Sequence, residues 1–507
     1  MLPNAALPNT APAPYVRHRP ELTLLYQVIE HHLPEFTEHL RERGHFLPKF
    51  VFQEFYDYLK CGRLEHGFVR VKCNSCRNEL LVAFSCKHRG FCPSCGGRRM
   101  VDTAAHLVDR VLPVVPVRQW VLSFPYPLRL LYSTHPQALT RTLKIVLRAI
   151  ETHLIRKAGL TRSSGARSGA ITFIQRFGSA LNLNVHLHML IPDGVYTCEH
   201  GKPRFHTVAG PSHRELPTLL NRIIRRISRQ LTRDGLLAEE AEQAYLDLQT
   251  DDTLDQFGAA SLQYRVILGP NTGSRVLTLR NPASATSAGT VKPFTVARDG
   301  FSLNAAVSGQ AHQRNKLERL CRYVARPPLA LERLSVTDEG KLRYALKHPY
   351  SNGTTHFLFE PLDLLARLAA LVPRPRVNMT RYHGVFAPNS TLRAQIVPGK
   401  PHKKRTTQTT TSNLPNRTSK PEMAKPTQLT WAQRLKRAFE FDVTVCPLCG
   451  GTLRVIARAL ARQHRPRHHR QDPYPHSTIT RAACASANAR FIYKFRSTKP
   501  GPCIART

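Results

Sequence analysis

The chain has 507 residues, 41% of them hydrophobic, which exceeds one hydrophobic core and gives material for about two to four domains. Its 74 Lys and Arg against 34 Asp and Glu leave a formal charge of +40, more than solubility requires, and imply a polyanionic partner. There is no apolar run long enough to span a bilayer and no basic-then-apolar leader, so neither membrane insertion nor secretion is expected, and a cytoplasmic location is.

Residues 1–20 are Pro-rich and are expected to lie outside any core. From Glu21 to Leu59, apolar residues recur at helical spacing with breaks at Pro34 and at Gly44 to Pro48, which predicts two or three short helices. Next come Cys73-x2-Cys76 and Cys92-x2-Cys95, fifteen residues apart, with the strand-like ELLVAF between them. That spacing predicts one structural zinc ribbon, because four thiolates neutralise Zn²⁺ and exclude a substrate water. Cys61 and Cys86 are left over, either for a second site with His66 or His88 or as small buried hydrophobes. Six of the 12 cysteines fall between Cys61 and Cys95, a clustering that points to metal in a reducing compartment rather than to disulfides.

Gly96-Gly97-Arg98-Arg99 leads into a helix stopped by Pro113. Val117 to Phe124 alternates like a strand, a basic helix runs from Pro136 to Lys157, and Ile171 to Phe177 is a second strand. The strand after it carries His186 and His188 on one face, either as a pair of metal ligands or as two hydrogen-bonded imidazoles. The pair of strands is expected to be antiparallel.

Residues 213–249 are predicted helical, and strands are predicted at Gln263 to Leu268 and Ser274 to Leu279. In the helix 311–325, Leu317, Leu320, Cys321 and Val324 make one apolar face, and Pro327-Pro328 end it. Tyr323 lies off that face, beside Lys316, Arg319 and Arg326, where it is either a tyrosine at the core edge or one exposed to an anion. LERLSV, GKLRYALKHPY and TTHFLFE read as strands, and PLDLLARLAALVP as an amphipathic helix. A basic linker follows at 397–429. After it come a short helix over Trp431 to Phe441 and a lone knuckle, Cys446-x-x-Cys449, whose partners come from tail histidines, from another chain, or do not exist. No fold is predicted beyond Ala457.

These motifs, in this order (CNSC, FCPSCGGRRM, ITFIQRFGSALNLNVHLHMLIPDGVY, LERLCRYVARPPLALERLS, RYHGVFAPN, CPLCGG), resemble the transposases of the insertion sequence 91 family, of the HUH rolling-circle class. The resemblance covers most of residues 20–456. It implies an α+β protein with N-terminal helices and a zinc ribbon (21–112) and an HUH-type antiparallel palm sheet with packed helices (113–396); composition adds a disordered basic linker (397–429), a basic helix with its knuckle (430–456) and a disordered tail (457–507), which departs from the family.

It further implies that His186 and His188 hold a catalytic Mg²⁺ or Mn²⁺, with Gln175 as candidate third ligand, and that Tyr323 is the nucleophile. Arg98, Arg99, Lys316, Arg319 and Arg326 would contact DNA, single- and double-stranded, at transposon ends. Where two-tyrosine members carry a second tyrosine, one turn before the first, this chain has Arg319, so it resembles the single-tyrosine subgroup. The alternative is a non-catalytic zinc-ribbon DNA-binding protein derived from such a transposase.

Overall fold

The computed structural model describes residues 19–240, 243–246, 252–284, 293–398, 445–459 and 491–493. Near the N-terminus, α1 (Leu24–Glu42) runs unbroken through Pro34. A proline inside a helix forfeits one backbone bond and costs about 3 kcal/mol. Here Val28, Ile29, Leu33, Phe36 and Leu40 carry one buried stripe across it, and burial outweighs that loss, so the predicted break is corrected. Helix α2 (Lys49–Lys60) packs on α1, after which β1 (Phe68–Cys73) and β2 (Glu79–Ala83) pair antiparallel. Helix α3 (Pro93–Arg110) starts inside the second knuckle, with Pro93 at its first turn, where no amide hydrogen is needed.

The main sheet begins with β3 (Val117–Ser123). Helices α4 (Tyr126–Thr134) and α5 (Pro136–Lys157) follow, then β4 (Gly169–Phe177), β5 (Leu183–Pro192) and the hairpin β6 (Gly194–Glu199) with β7 (Lys202–Thr207). Strands β4 and β5 pair antiparallel, as the sequence suggests. Helix α6 (Glu215–Arg233) stops well short of residue 249, because Gly235 (φ 69°) turns the chain into β8 (Leu237–Glu240), which pairs with β9 (Gln243–Leu246).

Helix α7 (Thr253–Leu262) is followed by irregular chain where two strands were expected. Only the isolated bridge Arg265↔Arg275 and β10 (Leu277–Arg280) form. Tyr264 is left-handed (φ 56°), and the amide of Ile267 donates to Asp363 Oδ1 at 2.6 Å instead of joining a ladder.

The sheet is completed by β11 (Thr295–Arg298), β12 (Phe301–Asn304) and the short β13 (Ser308–Gly309), before α8 (Arg314–Val324). A second sheet contains β14 (Leu334–Val336), β15 (Leu342–Ala345) and β16 (Thr354–Phe359), with β10 at its edge. Helix α9 (Pro361–Leu371) comes next, then β17 (Thr380–Gly384) and the one-turn α10 (Arg393–Ile396). The chain is described again at β18 (Leu453–Ala459) and β19 (Phe491–Tyr493). The linker at 399–429 and the helix expected at 431–441 lie outside the described residues.

Main-sheet order is β11-β12-β3-β5-β4-β17, with β13 also on β3, and β5 sits at its centre. Alternation along β5 divides two cores. Val185, Leu187, Met189 and Ile191 face α4, α5 and α6, while Leu190 faces α3 and α8 together with Phe173 and Ile171. A third core joins α1, α2, α7 and α9 to the second sheet.

Helix α9 is buried from Asp363 to Leu371, not amphipathic as expected. Its charge is matched inside: Arg367 Nε donates to Asp363 Oδ2 at 2.9 Å, with both side chains 1% exposed. Asp363→Ala leaves an unpaired buried guanidinium, so an expected loss of about 3–5 kcal/mol should appear as a lower urea midpoint with unchanged slope.

Candidate active site and zinc centres

The four cysteines expected in one ribbon belong to two clusters. Cys92 and Cys95 meet Cys61 and Cys86, and Cys73 and Cys76 meet Cys446 and Cys449. Sulfur separations of 3.4 Å (Cys86–Cys95), 3.7 Å (Cys61–Cys95) and 3.5 Å (Cys73–Cys449, Cys76–Cys446) approach the ~3.8 Å edge of a tetrahedral Zn–S₄ centre. The expected single site fails because β1 and β2 form a hairpin that sends its two knuckles to different places. The first knuckle meets β18, which pairs along β1 from Cys73↔Leu453 to Phe68↔Ala459.

That pairing also corrects two expectations about the C-terminal part. The lone knuckle finds its partner thiols in Cys73 and Cys76 of the same chain, and ordered strand continues to Ala459. Glycine is required next to the knuckle: Gly450 is left-handed (φ 74°), and a Cβ on Gly451 would lie 2.4 Å from Ser75 Oγ and 3.0 Å from Cys73 Sγ.

Cys61 and Cys86 are ligands of the first cluster, not leftover hydrophobes, and the amide of Cys86 donates to Cys61 Sγ at 3.3 Å. His88 is taken by carboxylates instead, 3.0 Å from Glu54 Oε2 and 2.6 Å from Asp57 Oδ2. Cys61, Cys92 and Cys95 are buried in the α1–α2 core, whereas Cys76 and Cys449 are exposed.

On β5, His186 faces Gln175 of β4 and Ser123 of β3, and His188 faces Phe173 and Val121. Their Nε2 atoms are 3.1 Å apart. Two ligands about 2.1 Å from one cation at a right angle would be separated by ~3.0 Å, so the pair fits adjacent positions on a single ion. Burial lowers the pKa of His186 to about 4 and that of His188 well below the usual imidazole value, so both rings are neutral, as ligands must be.

Both rings are held from behind. His186 Nδ1 donates to the carbonyl of Asn184 at 2.8 Å, which leaves its Nε2 as a lone pair. His188 Nδ1 is 2.6 Å from the side-chain amide of Gln119. With the amide oxygen turned to that nitrogen, His188 too presents a bare Nε2, because amide orientation follows from the network. Gln119 was missed in the sequence, although a lone polar residue between Val117 and Val121 on a strand's inner face is a readable signal.

Gln175 is 5% exposed, its Nε2 donates to the carbonyl of Val324 at 2.7 Å, and its Oε1 is buried with no partner. Among the described residues, the only groupings of three or more His, Cys, Asp or Glu side chains whose ligand atoms lie close enough to share one ion are the two cysteine clusters, so no carboxylate completes the histidine pair. The orphaned amide oxygen of Gln175, on the residue opposite His186, is a donor of the kind such a pair would need.

Helix α8 buries Leu317, Cys321 and Val324 against α3, which leaves Tyr323 at the rim, 42% exposed. Its ring stands edge-on to that of His188 at 6.1 Å. The Arg326 guanidinium lies 4.6 Å over the tyrosine ring, and Lys347 Nζ lies 5.8 Å from it. Lys347 was also missed, and nothing local in YALKHPY signals a contact made from another sheet.

A cleft beside the pair is lined by Arg89, Arg99, Gln175, Arg176, Phe177 and Arg326. Arg99 is partly spent within the zinc domain, donating to the carbonyls of Lys87 (2.9 Å) and His88 (3.1 Å). Lys316 and Arg319 are exposed on α8, and Arg98 is half-buried on α3.

Two family models match. Residues 28–124 match the insertion sequence 91 "Transposase zinc-binding domain", and residues 169–393 match the "Putative transposase" family. No curated protein and no solved structure matches the chain. Among the described residues no helix is long and apolar enough to cross a membrane. In chain order, then, the protein is similar first to a transposase zinc-binding domain of the insertion sequence 91 type and then to a "Putative transposase" domain.

Proposed function

We propose that this transposase cuts and rejoins single-stranded DNA at transposon ends through Tyr323, using Mg²⁺ or Mn²⁺ held by His186, His188 and Gln175. The observation that carries the reading is the exposed Tyr323 ring edge-on to one of two neutral, facing histidines.

Tyr323 Oη attacks a backbone phosphorus and gives its proton to solvent, forming a Tyr–O–P bond as the bond to the 3′ oxygen breaks. That oxygen takes up a proton and leaves as a free 3′-hydroxyl, while the 5′-phosphate stays on the protein. Attack by a 3′-hydroxyl on the phosphotyrosine reverses the step, so strand transfer needs no ATP. When bound, the cation polarises the scissile phosphate and offsets the charge that develops there.

The chain's own residues set the geometry. Asn184 and Gln119 aim the two imidazoles, Gln175 ties the site to the end of α8, and Arg326 and Lys347 draw the phosphate over Tyr323. Arg99, Lys316 and Arg319, with Arg98, extend the basic surface along which a strand would run. With Arg319 in place of an earlier tyrosine, one nucleophile serves each active site, as in the single-tyrosine subgroup.

Incubation with a single-stranded end oligonucleotide and Mn²⁺ should give a denaturant-stable adduct, with the phosphopeptide mapping to Tyr323 by mass spectrometry. An intact protein that binds the oligonucleotide but never forms the adduct would be the non-catalytic DNA-binding derivative instead.

A further inference from the structure

Helices α5 and α6 cover the sheet face opposite the histidine pair, and their outer surface is strongly cationic. They pack antiparallel: Arg141 meets Asp234 at one end, and Lys157 Nζ meets Glu215 Oε2 at 2.6 Å at the other. On α5, Lys144, Arg148 and Arg156 recur in steps of four around Thr152, and on α6, Arg222, Arg225, Arg226 and Arg229 recur in steps of three and four. Arg162, just past α5, folds back to donate to Thr152 Oγ1 at 3.0 Å. All but Arg222, which is half-buried, are exposed.

The acids of this pair are already engaged. Glu215 and Asp234 hold the ion pairs above, and Glu151 accepts from the amide of Ser168. Loss of hydration, and then repulsion from Arg222, Arg148, Arg162 and Arg156, lowers the pKa of Arg226, so five arginines from three segments share one neighbourhood. The ridge continues into a cleft at the far edge of the sheet, walled by Lys144, Arg148, Arg162 and Arg167, with the start of β4 at its floor. None of these residues approaches His186 or Tyr323 in sequence, and the sheet stands between.

Like charges gathered without counter-charges need an anion to hold them together. Residues 136–157 and 215–233 contain no Phe, Tyr or Trp, so the ridge offers no platform for stacking unpaired bases. It can read phosphates only, which suits a duplex whose bases are already stacked.

We propose that the α5–α6 arginine ridge is a second DNA site, which grips duplex DNA by its phosphates on the side of the sheet away from the histidine pair. It rests on the reading of the chain as a DNA-processing transposase. The flanking duplex is anchored on one side while a single strand is presented to Tyr323 on the other.

The test is the combined variant Arg148→Glu, Arg156→Glu, Arg222→Glu and Arg226→Glu, set beside the same four positions changed to Lys. Affinity for a short duplex of arbitrary sequence is measured across a salt series, with adduct formation on a short single strand measured in parallel. The Glu set should weaken duplex binding at least ~10-fold and reduce the slope of log K against log salt by about 3, while the Lys set retains both. Single-strand adduct yield should stay at the wild-type level.

Unchanged duplex affinity and slope in a Glu variant with wild-type circular dichroism would overturn the proposal. So would equal loss of single-strand binding, which would make the ridge a general strand site. If the Glu set does not fold, the same four positions changed to Ala carry the measurement. Absence of adduct from the wild type would count against the nuclease reading alone, since the duplex arm needs no cleavage.

Discussion

Tyr323→Phe is expected to lower covalent adduct formation by at least about 10⁴-fold while leaving oligonucleotide affinity within about twofold, because a nucleophile contributes to the bond-making step and little to binding. The variant removes one oxygen from a ring that is 42% exposed and packs edge-on to His188, so folding should be untouched. Gel-resolved adduct yield and fluorescence anisotropy on the same oligonucleotide separate the two effects. A Phe variant that still forms the adduct at the wild-type rate would move the nucleophile elsewhere. The companion change Arg326→Ala should reduce affinity as well as rate, since the guanidinium over the ring carries charge to the phosphate.

The second large effect concerns the two zinc clusters, which should respond differently to loss of a ligand. Purified wild-type protein is expected to hold two Zn²⁺ per chain by elemental analysis, one for each four-cysteine cluster. Cys95→Ser opens the buried cluster, where Cys61, Cys92 and Cys95 pack directly into the α1–α2 core. Structural zinc supplies on the order of 10 kcal/mol of folding free energy, so the N-terminal region should unfold and the protein precipitate. Cys449→Ser opens the half-exposed cluster, whose loss frees only β18 and the first knuckle. That variant should stay folded, hold one Zn²⁺ and lose protease protection only around residues 445–459. Identical behaviour of the two variants would refute the separation of the clusters.

Local pattern carried much of the main sheet. The strands at Val117 and Ile171, the helix from Pro136 to Lys157 and the apolar stripe of α8 are periodicities that need only their own residues. The same reasoning failed wherever a distant partner decided the outcome. Pro34 is tolerated because a core on both sides of it holds α1, and α9 is buried all round because α1, α7 and the second sheet pack on it, with Arg367 matched internally by Asp363.

The zinc ligands show the limit most sharply. Knuckle spacing identifies six of the clustered cysteines but not Cys61 and Cys86, and the grouping depends on where the hairpin of β1 and β2 points each knuckle, on which spacing is silent. The histidine strand was legible as an alternation, whereas its supports were not. Gln119 and Lys347 reach the site from elements 69 and more than 150 residues away from His188 in the chain and carry no motif of their own.

The cluster of Cys73, Cys76, Cys446 and Cys449 gives the molecule a property beyond stability. Its two halves are separated by 370 positions between Cys76 and Cys446, with the whole transposase domain threaded between them. A chain still leaving the ribosome can complete the buried cluster as soon as Cys95 emerges, but the other stays open until Cys449 has been made. Closing so long a loop costs chain entropy that only a folded intervening domain has already met. A metal bound at that point would act as a check on completeness: a chain cut short before its last knuckle keeps His186, His188 and Tyr323 and still lacks the finished cluster.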